Sequence, residues 1–180
     1  EDKRRKEAER YEEELERICS SAPPADSQEA RDKAQSALNA ALGMEFDEAA
    51  TREIIDSQLR KAGWEADTQR IRYSRGSRPE KGKNKAIAEW PCADKDRADY
   101  VLFRGLEPIA VVEAKRASRN IPAVLEKAEY YARSLSGEGW TGSDAPGLKG
   151  VVPFAFSTNG RPYLAQLAEA SGVWFRDLRR

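Results

Sequence analysis

Asp99 stands in the apolar run ADYVLF (98–103), and Glu113 and Lys115 close the next such run, PIAVVEAK (108–115). Apolar segments of this length, separated by a short turn at Gly105, predict two strands of a hairpin. Residues two apart on a strand point to one face, so Glu113 and Lys115 share a side of the sheet. Asp99 reaches the same side if the strands pair across the turn. Two carboxylates and an ammonium gathered in one place carry a desolvation cost, because unpaired buried charge is strongly disfavoured. A hard divalent cation removes that cost: magnesium accepts two carboxylates, keeps several waters and leaves room for a phosphate oxygen. The chemistry implied is polarisation of a phosphodiester and activation of a water, with Lys115 orienting the water or neutralising charge on the phosphate. On spacing alone, the other reading is an Asp and a Glu-Lys pair at exposed strand ends.

The chain has no histidine, which removes the commonest general base and the commonest zinc ligand together. Triads and zinc sites built on histidine are excluded, leaving carboxylates, lysine, tyrosine or a hard cation as the means of catalysis. Lys plus Arg and Asp plus Glu both number 31, so any basic surface must be local. RYSRGSRPEKGKNK (72–85) supplies one: Arg72, Arg75, Arg78, Lys81, Lys83 and Lys85 can touch backbone phosphates without reading sequence. The bland alternative is a mobile, solvated loop. Cys19 and Cys92 match no metal-ligand spacing and make no disulfide framework. No apolar run reaches the roughly 18–20 residues that cross a bilayer, so a reduced, cytoplasmic setting without a membrane is expected. No Gly-rich loop ending in GK[ST] is present, and ATP hydrolysis is therefore not expected of these residues.

The elements that must position this chemistry fall into two regions. In residues 1–42, Ala8, Tyr11, Leu15 and Ile18 recur at helical spacing, as do Ala34, Leu38 and Ala41 beyond Pro23 and Pro24. They predict an N-terminal helical hairpin or part of a coiled coil; a charged, solvated arm is the alternative. Residues 43–180 predict one α/β domain with a mixed sheet. Its expected order is a helix from about Glu45 to Ala62 stopped by Gly63, strands at 86–90, 98–103 and 108–115, and a helix entered at Pro122 and running to about Leu135. A strand at 151–157, a turn at Thr158–Gly160, a helix and one more strand complete it. Glu89, on the first of these strands, is read as structural. A start without methionine, inside a helical pattern, points to a piece of a longer protein.

TREIIDSQLRKAGWEAD (51–67), RPEKGKNKAIAEWP (78–91), ADYVLF, AVVEAKR (110–116) and FSTNGRPYL (156–164), in this order, resemble the N-terminal nuclease region of the restriction (motor) subunit of type I restriction-modification enzymes, over roughly residues 45–180. The resemblance implies a restriction-endonuclease-like PD-(D/E)XK fold, Mg2+ as cofactor and cleavage of double-stranded DNA. It also implies modification and specificity subunits as partners, and an ATP-dependent translocase lying beyond this chain. By position it makes Asp99 and Glu113 the metal ligands and Lys115 the catalytic lysine. The family often places a glutamate on the first helix; Glu48 is preferred over Glu53 because it shares a side with Thr51, Ile55 and Leu59. A Gln followed four residues later by Tyr is frequent on the helix after the catalytic strand. Here Tyr131 fills the tyrosine position but Lys127 stands where Gln is common, and a lysine only donates hydrogen bonds and adds charge. That departure keeps open a catalytically silent DNA-binding or assembly module. Arg161, beyond the Thr158–Gly160 turn, is a further candidate DNA contact.

Overall fold

The computed structural model describes residues 48–115, 124–140, 151–160 and 172–179, together with Lys6, Arg10, Glu13, Gln28 and Asp32, which are helical. The hairpin expected over residues 1–42 otherwise lies outside the described residues, as do Pro122 and the helix expected after Gly160.

Helix α1 (Glu48–Lys61) is rich in Ala, Glu, Gln and Leu, and Arg60 and Lys61 in its last turn complement the helix dipole. It ends where expected, at Gly63. The Gly63 N–H donates to Arg60 O and the Trp64 N–H to Leu59 O, both at 3.0 Å, and Gly63 takes the left-handed φ of 89° that this terminator requires. The strands are β1 (Glu65–Ala66), β2 (Asn84–Pro91), β3 (Arg97–Arg104), β4 (Glu107–Ala114), β5 (Phe154–Thr158) and β6 (Val173–Asp177), with helix α2 (Leu125–Arg133) between β4 and β5. They form one mixed sheet in sequence order. β2, β3 and β4 run antiparallel through tight connections, β4 and β5 are parallel across α2, β6 returns antiparallel, and β1 adds parallel to β2. The α/β architecture with a mixed sheet expected from the sequence is therefore present, and each expected strand falls within a few residues of its place.

Period-two alternation divides the sheet into two cores. Ile87, Val101, Phe103, Val111 and Ala155 meet Leu125, Ala128, Tyr131 and Ala132 of α2 on one face. On the other, Ala86, Ala88, Tyr100, Leu102, Ala110 and Val112 cluster with Ile55, and Leu59 packs against them. Full burial of a side chain such as Phe103 stabilises the fold by roughly 2–3 kcal/mol.

One irregularity decides what the sheet presents. Near the Gly105 turn Arg104 pairs with Glu107 and Phe103 with Pro108, but beyond a bulge Leu102 pairs with Ala110 and Tyr100 with Val112. Ile109 is the extra residue. Counted from the turn alone, Asp99 would oppose Val112 and lie on the face opposite to Glu113. The bulge shifts the register by one residue, which exchanges the faces and sets Asp99 opposite Glu113.

The turn after β5 locks onto α1, since Gln58 Nε2 donates to Gly160 O at 2.9 Å. Gly160 has φ 77°, and a Cβ there would stand 3.3 Å from Ile54 Cγ2. Gly160→Ala should destabilise the fold by about 1–2 kcal/mol, through backbone strain and this close approach. An unchanged urea midpoint would show that the turn is free to relax.

Candidate active site

Glu113 closes β4, with its side chain only 1 % exposed. Two ammonium groups make that burial tolerable: Lys115 Nζ donates to Glu113 Oε1 at 2.6 Å and Lys127 Nζ, from α2, donates to the same oxygen at 2.9 Å. Glu113 Oε2 is buried and accepts no hydrogen bond among the described residues. A carboxylate has about four lone-pair positions, so leaving one whole oxygen dry and open is costly.

Asp99 is fixed at both oxygens. Arg52 Nη2, from α1, donates to Oδ1 at 2.7 Å, and the Ala114 backbone N–H donates to Oδ2 at 2.8 Å. Burial raises the Asp99 pKa from its ordinary 3.8 to about 6, with the charge of Glu113 pushing the same way and Arg52, the Ala114 N–H and Lys115 pulling back. Arg52 is itself placed by a buried network. Asp56, one turn further along α1, accepts from the Thr68 N–H at 2.7 Å and Thr68 Oγ1 at 2.9 Å, and the Thr68 hydroxyl lies 2.7 Å from Tyr100 Oη. Burial raises the Asp56 pKa against the hydrogen bonds from Thr68.

Lys127 and Tyr131 share a face of α2, as their spacing of four requires: Lys127 Nζ lies 5.1 Å from the centre of the Tyr131 ring. Partial burial works against the Lys127 charge, but hydrogen bonds to Tyr131 and Glu113 outweigh it and hold the ammonium above the ordinary lysine range. Tyr131 is part of the α2-facing core. Lys127 is half-exposed yet reaches Glu113.

Several side chains of the basic tract are tethered to neighbouring groups. Arg72 pairs with Glu89 and bridges its backbone to Ala88, and Arg78 lies 3.8 Å over the Tyr73 ring. Lys83 and Lys85 each sit 2.7 Å from Glu80, whose pKa their hydrogen bonds lower to about 2. Arg75 and Lys81 are exposed. The structure therefore brings Asp99, Glu113, Lys115, Lys127 and Tyr131 together and sets the tract beside them through Arg72 and Glu89. The Glu48 side chain and Arg161 lie outside the described residues. Among the described residues no three His, Cys, Asp or Glu side chains cluster as a ready metal site, and no helix is long and apolar enough to cross a membrane.

Sequence reasoning missed Arg52. Glu89 lies on β2 between Ala88 and Trp90, whose partners Tyr100 and Ala98 flank Asp99 on β3, and it is held by Arg52, Arg72 and Arg97. Pairing the apolar runs 86–90 and 98–103 as antiparallel neighbours would have set Glu89 beside Asp99; nothing local marks Arg52, which is found only once α1 is packed.

Residues 65–180 match the family model of the second domain of the type I restriction enzyme EcoKI endonuclease subunit. The type I restriction enzyme EcoKI endonuclease subunit of Escherichia coli (strain K12) is 40% identical over 166 residues, which cover 76% of this chain and 14% of that protein. The chain thus spans about one seventh of the length of this relative. No solved structure matches the chain.

The raised Asp99 pKa has a signed consequence. Folding favours the protonated carboxyl, so its contribution to stability is full below pH 3.8 and is lost as pH rises through about 6. With no histidine in the chain, few other groups titrate in that window. The thermal midpoint of the metal-free chain should fall between pH 5 and pH 7.5 more than that of Asp99→Ala. Parallel pH profiles for the two proteins would contradict the raised Asp99 pKa.

Proposed function

The chain belongs to the family of type I restriction enzyme endonuclease subunits, and on that premise we propose that residues 43–180 are a magnesium-dependent DNA-cleaving domain of the PD-(D/E)XK type. The observation that carries this reading is Glu113 Oε2, a buried carboxylate oxygen without a donor, on the same face and level of the sheet as Asp99. The donor set is hard, two carboxylates, which suits magnesium and not a thiolate- or imidazole-seeking metal. Asp99 and Glu113 would hold the ion, which when bound supplies Lewis acidity toward a phosphodiester oxygen.

The remaining work falls to the chain's own side chains. Lys115 keeps its ammonium beside Glu113 while about a third of the side chain stays exposed, so it can orient an attacking water or meet charge developing on the phosphate. Lys127, standing where the family often has Gln, adds a cation that can move from Glu113 Oε1 to a phosphate oxygen. Arg52 and the Ala114 N–H fix the Asp99 carboxylate before substrate arrives. The partners implied are double-stranded DNA, modification and specificity subunits, and an ATP-driven translocase in a region outside this chain, all in the cytoplasm.

A second reading, a silent DNA-binding or assembly module, draws on one observation: Lys115, Lys127 and Arg52 already compensate both carboxylates. Cleavage assays separate the two. In the intact enzyme carrying this chain, Asp99→Ala and Glu113→Gln should each lower Mg2+-dependent cleavage by about a thousandfold, and Lys115→Ala by about a hundredfold, with DNA binding retained. Cleavage within tenfold of the unaltered enzyme in either carboxylate variant would exclude the nuclease assignment.

A further inference from the structure

Three guanidinium groups converge on one carboxylate at the margin of this site. Glu89 Oε1 accepts a short hydrogen bond from Arg72 Nη2, Arg52 Nη1 lies 3.6 Å from the same oxygen, and Arg97 Nη1 lies 3.5 Å from Oε2. Counting Asp99, which Arg52 also holds, two carboxylates face three guanidinium groups, and each guanidinium carries five donors. Glu89 does not exhaust them, for Arg72 Nε is left without a hydrogen-bond partner among the described residues. Arg97 is more than half exposed, so the cluster opens to solvent on that side. On its inner side it abuts the candidate active site, because Arg52 also donates to Asp99.

The backbone here is strained. Glu89 has φ 52° in the middle of β2, where the ladder pairs Ala88 with Tyr100 and Trp90 with Ala98 but passes over Glu89. A left-handed conformation is unfavourable for a residue with a Cβ, and persists only where the surroundings impose it. Asp94 and Lys95, the other positive-φ residues apart from glycine among the described residues, lie in the connection that leads on to Arg97.

We propose that Arg52, Arg72 and Arg97 form a pocket for a nucleic-acid backbone phosphate next to the one that is cut, and that Glu89 is its internal placeholder, displaced when a phosphodiester docks. The proposal rests on the nuclease reading in taking DNA as the source of the phosphate. A phosphodiester presents acceptor oxygens that match planar guanidinium forks, whereas a carboxylate in the same place offsets the charge of Arg72 and Arg97 in the free protein. Free inorganic phosphate shares this chemistry and must be tested separately.

The test is fluorescence anisotropy of a short labelled duplex titrated with the 180-residue chain in EDTA at several salt concentrations, so that nothing is cut. Glu89→Gln keeps the size of the placeholder and removes its charge; the duplex should bind several-fold more tightly, with a steeper salt dependence. Arg97→Ala, a change at an exposed position, should weaken binding several-fold and lower the salt slope by about one ion. Inorganic phosphate should compete no better than chloride at equal ionic strength. An Arg97→Ala protein with unaltered affinity and slope overturns the pocket, even if Glu89→Gln fails to fold. A folded Glu89→Gln that binds no more tightly overturns the placeholder, and efficient competition by free phosphate overturns DNA as the source of the bound phosphate. If the unaltered chain responds to Mg2+ but binds no duplex, this proposal alone fails; if it does neither, the nuclease reading fails with it.

Discussion

A carboxylate withdrawn from water stays ionised only with positive charge at contact distance, and Glu113 is the residue around which that constraint is met. It is 1 % exposed at the end of a central strand, beside Asp99 on the neighbouring strand, with two ammonium groups on one oxygen and none on the other. Strand β4 brings Lys115, helix α2 brings Lys127, and α1 brings Arg52 to Asp99. Each of these elements contributes a charge directed at the same few ångströms. Removing one partner from such a cluster is more destabilising than never having buried it, so the fold and the candidate site are mutually dependent.

The arrangement divides labour between rigid and adjustable parts. Asp99 is pinned by a main-chain N–H and by an arginine whose helix is tied down through Asp56, Thr68 and Tyr100. The lysines sit on longer, partly exposed stems and can exchange Glu113 for an incoming anion. Burial beside Glu113 shifts the Asp99 carboxyl towards protonation, to about 6, and a cation bound there would shift it back.

Much of this was legible in the sequence, and for identifiable reasons. Alternation in ADYVLF and PIAVVEAK specified strands, Gly63 and Gly105 marked a helix end and a turn, and the lack of histidine narrowed the chemistry to carboxylates and cations. A shared face for Asp99 and Glu113 could be expected, but its cause was out of reach of pattern alone. It depends on the extra residue Ile109 in the β3–β4 ladder, and a bulge leaves no mark on hydrophobic pattern. The position of Arg52 was hidden for another reason, since a cation on a helix shows nothing of its partner until the helix is packed on a sheet. The left-handed backbone of Glu89 was hidden too, since at an ordinary residue it is not encoded by type. The basic tract was visible as composition, yet its pairing with Glu80 and Glu89 is a tertiary fact.

What matters most is whether Asp99 and Glu113 hold one hard cation between them. Manganese, a close substitute for magnesium that scatters anomalously, can be located directly by diffraction from crystals of the chain grown or soaked with it. The expected result is one anomalous peak within coordination distance of Glu113 Oε2 and an Asp99 carboxylate oxygen, with Lys127 drawn back. Metal-free density at that point while manganese binds elsewhere, or carboxylates turned to opposite faces of the sheet, would contradict it.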